Sequence, residues 1–235
     1  SSQYGKFAGS KNLGAASYKL NTHLENGRGV YTFCMCPGGK VVNASSEENM
    51  IVTNGMSEFA RNEVNSNSAL LVGVSPKDFK SNNPLAGMHF QRKLENKAFM
   101  LGGSNYNAPV QRVDDFINNT KSTHLGEVKP SICPDYELSN LSTILPEFVS
   151  ESMKQGIKDL GRKLKGFDDG DAILTAVETR SSSPIRILRN NETLESIKIK
   201  GLYPCGEGAG YAGGIISAAV DGIKCAEEII NKNNK

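Results

Sequence analysis

The sequence predicts an α+β chain with mixed sheets, a helical middle segment and a strand-turn-helix at its end. Three observations carry this. Short β-branched and aromatic runs, divided by Gly, Pro and Asn-Ser stretches, fill the first third. Apolar residues at helical spacing fill the middle, and a glycine-rich turn then leads into a last apolar helical stripe. A length of 235 residues with 38% hydrophobic side chains suits one large domain or two small ones and supplies a sizeable core.

Tyr18 to Leu24 and Val30 to Cys36 read as strands, and Pro37-Gly38-Gly39 supplies a turn before Lys40 to Ala44 resumes extended, so a hairpin is expected here. Met50 to Thr53 and Ala69 to Ser75 are further short strands, with an aperiodic Asn- and Ser-rich stretch from Asn54 to Ser68 between them. Pro84 suits a helix start, and Leu85, Met88, Leu94, Ala98 and Leu101 hold one face of about four turns. Val110, Val113, Phe116 and Ile117 form a shorter helical stripe. Leu138 to Leu164 is helical again, with Pro146 kinking or dividing it. After the turn-rich break at 166–170, strands are expected at Ala172 to Thr179, Ile185 to Arg189, Ser196 to Lys200 and Leu202 to Cys205. Gly213 to Ile230 then forms a helix with Ile215, Ile216, Ala219, Val220, Ile223, Ala226 and Ile230 on its inner face.

Composition excludes several classes of function. Lys+Arg 27 against Asp+Glu 25 gives a formal net charge of +2, which offers no bulk field for nucleic acid or acidic lipid, and no apolar run is long enough to span a membrane. Five cysteines, an odd number with no secretory leader, point to a reducing, cytoplasmic setting. The histidines His23, His89 and His124 are scattered and Cys133 is alone, so no metal-ligand spacing is present and no metal is expected. His89 and His124 have no visible carboxylate partner for proton transfer. A start at Ser1-Ser2-Gln3-Tyr4, polar and without an initiator Met, suggests a chain cut from something longer.

Gly208-Ala209-Gly210-Tyr211-Ala212-Gly213 matches G-x-G-x-x-G after a strand and before a helix. A complete dinucleotide fold also needs a second parallel strand with an acidic residue about 20 residues on, and only a helix and a polar tail follow. Glycines still allow close backbone approach, and the helix start presents unpaired N–H groups suited to an anion or a polarised carbonyl. The alternative is that Gly210, Gly213 and Gly214 only permit tight strand-helix packing.

Gly201 to Ile215, reading GLYPCGEGAGYAGGI, resembles the C-terminal flavin motif of FAD-dependent dehydrogenases. Similarity extends through VYTFCMCPGG at 30–39, VTNGM at 52–56, LGG at 101–103 with PVQR at 109–112, LGEVKP at 125–130 and VETRSSSPIRI at 177–187. Together these are similar to one bacterial family of NAD(P)/FAD-dependent oxidoreductases. That resemblance implies a C-terminal portion that lacks the N-terminal dinucleotide-binding βαβ unit, with a substrate or cap-like domain over 1–166 and a return segment of the FAD-binding domain over 167–235. It implies FAD in the longer parent but not in this portion, NAD(P)H as a possible electron donor, and self-association through the surface the missing unit would cover.

By the same resemblance Glu207 accepts hydrogen bonds from the ribityl hydroxyls, and Gly206, Gly208, Gly210, Tyr211, Gly213, Gly214 and Ile215 form the turn facing the isoalloxazine. The alternative for Glu207 is a helix-start carboxylate interacting with the dipole. Arg180 and Arg186 bracket Ser181-Ser182-Ser183-Pro184, and Arg180, Ser183 and Arg186 are the candidates for holding substrate or flavin. Two solvated arginines flanking a turn are the plainer explanation. Cys34-Met35-Cys36 puts two thiols on one face of a strand; the expectation is a pair of small core hydrophobes, with a thiol-redox role as the alternative. The functional expectation is thus part of a flavoprotein oxidoreductase. Its rival is a non-catalytic binding or regulatory module whose glycine turn is structural.

Overall fold

The computed structural model describes residues 4–7, 9–13 and 20–233. The first strands are β1 (Asn21–His23), β2 (Gly29–Cys36), β3 (Lys40–Asn43), β4 (Thr53–Met56) and β5 (Asn67–Val72). An antiparallel sheet has the order β1-β2-β5, and β3 pairs with β4 as a separate antiparallel ribbon. The hairpin expected across Pro37-Gly38-Gly39 is therefore not formed. Both edges of β2 are already taken by β1 and β5, so β3 has no free edge to join and turns to β4 instead. Of the run from Tyr18 to Leu24, its first two residues lie outside the described residues.

Helix α1 (Ala86–Leu101) follows Pro84 as expected and starts with Asn83 Oδ1 accepting from the Leu85 N–H. Its inner face carries Ala98 and Phe99 together with Glu95, which is fully buried. Strand β6 (Ala108–Arg112) then runs into the short helix α2 (Val113–Ile117), so Val110 belongs to the strand and only the later residues of that stripe are helical. Strand β7 (Tyr136–Leu138) lies parallel to β6. Pro146 divides the last helical stretch as expected: a 3-10 turn at Leu141–Thr143 precedes it and α3 (Glu147–Lys163) follows.

Strand β8 (Ile173–Thr175) is antiparallel to β6 on its other side, giving the order β7-β6-β8. The sheets are thus mixed and the α+β class holds. One core joins Ile51, Phe99, Val110, Phe116, Leu141, Ile157 and Val177, drawing on β6, all three of α1 to α3 and the chain just after β8. At its centre the buried Gln111 satisfies two backbone groups: its Nε2 donates to Thr120 O at 2.6 Å and its Oε1 accepts from Leu141 N at 2.8 Å.

Beyond β8 the strands expected at Ile185 to Arg189, Ser196 to Lys200 and Leu202 to Cys205 do not form; a single bridge, Arg189 to Ser196, remains. No described strand runs beside them, and without a ladder their backbone groups turn to local side chains and turns. Helix α4 (Ile215–Asn233) closes the description. Its apolar face is not inner, contrary to expectation: Ile215 is 85% exposed, and Ile216, Val220, Ile223 and Ile230 are exposed too. Ala218, Asp221 and Cys225 face the protein instead, because an ion pair at Asp221 fixes the rotation of the helix. Among the described residues no helix is long and apolar enough to cross a membrane.

Gly156 of α3 lies against Val30 of β2, and a Cβ there would come within 2.5 Å of the valine Cγ1. Gly156→Ala should therefore lower stability by about 1–3 kcal/mol through overpacking, outweighing the roughly 1 kcal/mol that alanine gains in helix propensity. A lower urea midpoint with an unchanged slope is the expected outcome, and a raised midpoint would contradict this packing.

Candidate functional site

The chain leaving β8 passes through the core and emerges at the wall of a cleft. Ala176 and Val177 are buried, with Ala176 N donating to Pro109 O and Val177 O accepting from Thr53 N at 2.8 Å. Next come Glu178, Thr179 and Arg180. The cleft has a volume of about 1000 Å³ and is lined mainly by apolar side chains, among them Tyr31, Leu70, Phe79, Phe90 and Leu94, with Glu178 and Ser181 to Pro184 on its wall.

Arg180 is spent on structure. Its Nε and Nη2 donate to the two oxygens of buried Glu95 at 3.0 and 2.7 Å, its Nη1 donates to Ser46 at 2.9 Å, and Nη2 also reaches Glu47 at 3.0 Å. Thr179 donates its hydroxyl to the same Glu95, and Gln91 Nε2 donates to Thr179 O at 2.7 Å. The neighbouring carboxylates push the Arg180 guanidinium above its usual range, with the hydrogen bond to Glu95 the first cause. With all three of its nitrogens turned to α1 and to the loop at Ser46 and Glu47, this guanidinium pins the segment after β8 to α1.

Ser183 is equally local: its hydroxyl meets Ile185 O at 2.8 Å and Gly208 O at 3.2 Å. Arg186 Nε donates to Gly210 O at 2.9 Å, and its guanidinium lies 5.0 Å from the Tyr211 ring centre. Arg189, which the sequence reading passed over, is the main clamp. It stacks 3.6 Å from the same ring, donates to both oxygens of Asp221 at 2.9 and 2.6 Å, and reaches Pro204 O at 2.7 Å. Asp221 also accepts from Gly206 N at 2.9 Å, and its carboxyl is held below its ordinary range, chiefly by Arg189. The three expected catalytic residues thus bind the glycine turn and α1, and the turn at 206–211 is fixed by two arginines around one tyrosine. At Gly210, φ is +83° and a Cβ would sit 2.4 Å from Ile185 O, so only glycine allows this approach.

The structure brings the glycine turn that carries Glu207 against the cleft-wall segment at Ser183. The Glu207 side chain is exposed and accepts no hydrogen bond from any described residue, and space is open around Gly208 and Gly213. Gly214 N donates to Ser217 Oγ at 3.2 Å where α4 starts. Ile215 is directed to solvent rather than onto the turn. Glu207 thus offers a free carboxylate beside an open turn.

The two thiols are not core residues. Cys34 is exposed at a bulge of β2 with φ +47°, and Cys36 is half-buried with its Sγ against Cys34 O at 3.2 Å. The bulge turns the pair off the sheet face, which is why strand alternation mispredicted them. Desolvation first and Glu178 second push both thiols up, so they are protonated at neutral pH; Glu207 adds to this at Cys34. Glu178, Glu207 and the thiols therefore share one region. Burial alone lifts the Glu178 carboxyl to about 7, with no cation offsetting it. Among the described residues no three or more His, Cys, Asp or Glu side chains converge as metal ligands. A sequence signal for Glu178 exists: it is a carboxylate directly after the apolar run Ala172 to Val177, which only Thr175 interrupts.

Two stability measurements separate structural from functional residues. Arg180→Met should cost about 2–4 kcal/mol, because it strands the buried Glu95 charge; a loss below half of that would show that the pair is dispensable. For Glu178 the sign is reversed, since a carboxyl raised in the folded state opposes folding as pH rises from its unfolded value through about 7. Glu178→Gln should thus be more stable than the parent at pH 8.5, by about 1–2 kcal/mol after solvent screening, and should lose that advantage below pH 5. Urea titrations at the two pH values check both.

The model of a family described as FAD-dependent protein, C-terminal domain-like, matches residues 1–181, covering β1 to β8 and the pinned segment after them. An uncharacterized protein of Clostridium beijerinckii is 57% identical over 231 residues, which is 98% of this chain and 43% of that protein. The chain therefore spans less than half of the relative that it matches. By the extent of both matches it belongs to the FAD-dependent protein, C-terminal domain-like family.

Proposed function

We propose that the chain is the substrate-side part of an FAD-dependent oxidoreductase, in which a dehydrogenation takes place between the cleft and a flavin seated at the glycine turn. The observation that carries the reading is the juxtaposition at the cleft mouth. A free carboxylate at Glu207, on a turn clamped by Arg186 and Arg189, stands next to the rim segment Ser181 to Pro184 of a large apolar cleft. Flavin, when bound, supplies the two-electron acceptor. Glu207 is suited to hold the ribityl hydroxyls, and the open turn at Gly208 and Gly213 leaves room for the ring system. The clamp keeps that turn in place before the cofactor arrives, so little ordering cost falls on binding.

The outward stripe of α4 supports the same assignment. Ile216, Val220, Ile223 and Ile230 stand on one exposed face. The relative has more than half its length outside the match, and the dinucleotide-binding unit expected there is the partner we assign to this face. Within this reading the unformed strands at Ile185 to Arg189 and Leu202 to Cys205 gain their ladder partners from that unit. NAD(P)H as electron donor and a cytoplasmic setting belong to the same proposal.

The full-length protein should show flavin absorbance as purified, and Glu207→Ala should weaken FAD retention about tenfold while leaving the unfolding midpoint unchanged, since the lost contact is to cofactor and not to the core. A protein that stays colourless after FAD addition, or unchanged FAD affinity in Glu207→Ala, overturns the assignment and favours the binding-module alternative.

A further inference from the structure

The last two cysteines of the chain meet at the joint between the glycine turn and α4. Cys205 is exposed and stands immediately before the turn, and Cys225 is buried on the face of α4 that meets the protein. Their thiols lie side by side, close enough for a hydrogen bond between them. The backbone on both sides of Cys205 explains the approach. Pro204 O accepts from Arg189 Nη1 at 2.7 Å, and the same nitrogen donates to Cys225 Sγ at 3.4 Å. Gly206 N donates to Asp221 Oδ2 at 2.9 Å, one helical turn before Cys225. Two residues earlier, the Tyr203 hydroxyl accepts from Lys232 Nζ at 3.3 Å, farther along the same face of α4. Side chains 203 and 205 therefore point to one side of their segment, and that side is α4.

Access separates the two thiols. A reagent in solution reaches Cys205 and not Cys225. Burial pushes the Cys225 thiol up, while the Arg189 guanidinium beside it pulls the other way. Cys225 thus waits as a neutral thiol until a reactive sulfur is delivered next to it, and proximity then replaces access. An exposed thiol to be modified and a buried one to resolve the product is the division that a reversible disulfide needs.

We propose that Cys205 and Cys225 form a reversible dithiol–disulfide pair, oxidised by small disulfides through the exposed Cys205 sulfur, whose bond locks the glycine turn to α4. The bond closes a loop that holds the whole turn and the first turns of α4, a covalent tie parallel to the Arg189–Asp221 pair. In a reducing cell it forms only under oxidative load.

Two exchanges make the bond. In the first, the Cys205 thiolate attacks one sulfur of the small disulfide; a new S–S bond forms, the old one breaks and one small thiolate leaves. In the second, Cys225 gives its proton to solvent and attacks the Cys205 sulfur, and the other small thiolate leaves. Two protein thiols are oxidised, one small disulfide is reduced to two thiols, and the two protons pass to them through solvent. None of this depends on the flavin reading. A strand added beside Leu202 to Cys205 pairs through backbone edges and leaves the side-chain faces open, so the unit assigned to that edge does not itself cover the thiol.

The test incubates the full-length protein with glutathione disulfide, blocks the remaining thiols and maps the tryptic peptides by mass spectrometry without reduction. Trypsin cuts after Lys200, Lys224 and Lys232, so Cys205 and Cys225 fall on separate peptides, 201–224 and 225–232, whereas Cys34 and Cys36 share one. The two peptides should appear joined and should separate on dithiothreitol. Cys225→Ser removes the second exchange, so the mixed disulfide with glutathione should accumulate at Cys205 about tenfold over the parent. Cys205→Ser removes the first, and Cys225 should then stay a free thiol. Amide exchange over 206–214 should slow severalfold in the cross-linked protein. The peptide map of the parent decides the pairing without any variant, so a variant that fails to fold does not remove the test. Four results would each overturn the proposal: Cys205 and Cys225 left free while Cys34 or Cys36 reacts, a mixed disulfide that persists at Cys205 in the parent, Cys225 reacting as readily in Cys205→Ser, or amide exchange at the turn unchanged by the bond.

Discussion

The buried carboxylate of Glu95 is the anchor on which the rest of the arrangement depends. A fully desolvated charge in a helix is tolerated only if it is paired and hydrogen-bonded, and Arg180 and Thr179 do both from the extended segment that follows β8. The pairing draws 176–180 across the core between β6, β4 and α1, where backbone bonds to Pro109 and Thr53 complete its fixation. Everything at the cleft follows from that path. Glu178 sits between two pinned neighbours, Val177 and Thr179, and is half-buried on the cleft wall.

A division of labour among the charged groups results. Arginines that look available in the sequence are all engaged: Arg180 on Glu95, Arg186 on Gly210 O, Arg189 on Asp221 and the Tyr211 ring. They build a rigid frame from α1 through the rim to α4. Among the described residues Glu207 at the turn and Glu178 on the cleft wall are acids with no side-chain partner. A carboxylate on a cleft wall that burial has raised toward neutrality is a candidate for meeting a ligand.

Much of this was legible in the sequence, and the failures have a common physical origin. Local signals worked where local physics decides: Pro84 opened α1, Pro146 divided the helical stretch before α3, and the glycine turn stood immediately before α4. Pairing signals failed where a strand needs a neighbour that sequence spacing does not reveal. The turn at Pro37-Gly38-Gly39 promised a hairpin, but the edges of β2 were already occupied; Leu202 to Cys205 had strand composition and no ladder to join. The α4 stripe was read correctly as apolar and wrongly as inward, because the Arg189–Asp221 pair, separated by 32 residues, sets the rotation of the helix. The site residues split the same way. Motif similarity located the turn around Glu207, whereas the roles of Arg180, Ser183 and Arg186 depend on partners that only the fold supplies. Glu178 carried a signal of its own, an acid directly after an apolar run, whose meaning appears only once its surroundings on the cleft wall are known.

The central claim is that the pinned segment after β8 holds the Glu178 carboxyl half-buried, with no counter-charge among the described residues. Its most direct test is the protonation state of Glu178 itself, followed by isotope-edited infrared titration of the protein with Glu178→Gln as the spectral reference. A protonated carboxyl band that disappears with a midpoint near pH 7 and is missing from the reference spectrum is the result this account predicts. A band titrating at the ordinary value for a solvated glutamate, about 4.3, would contradict it.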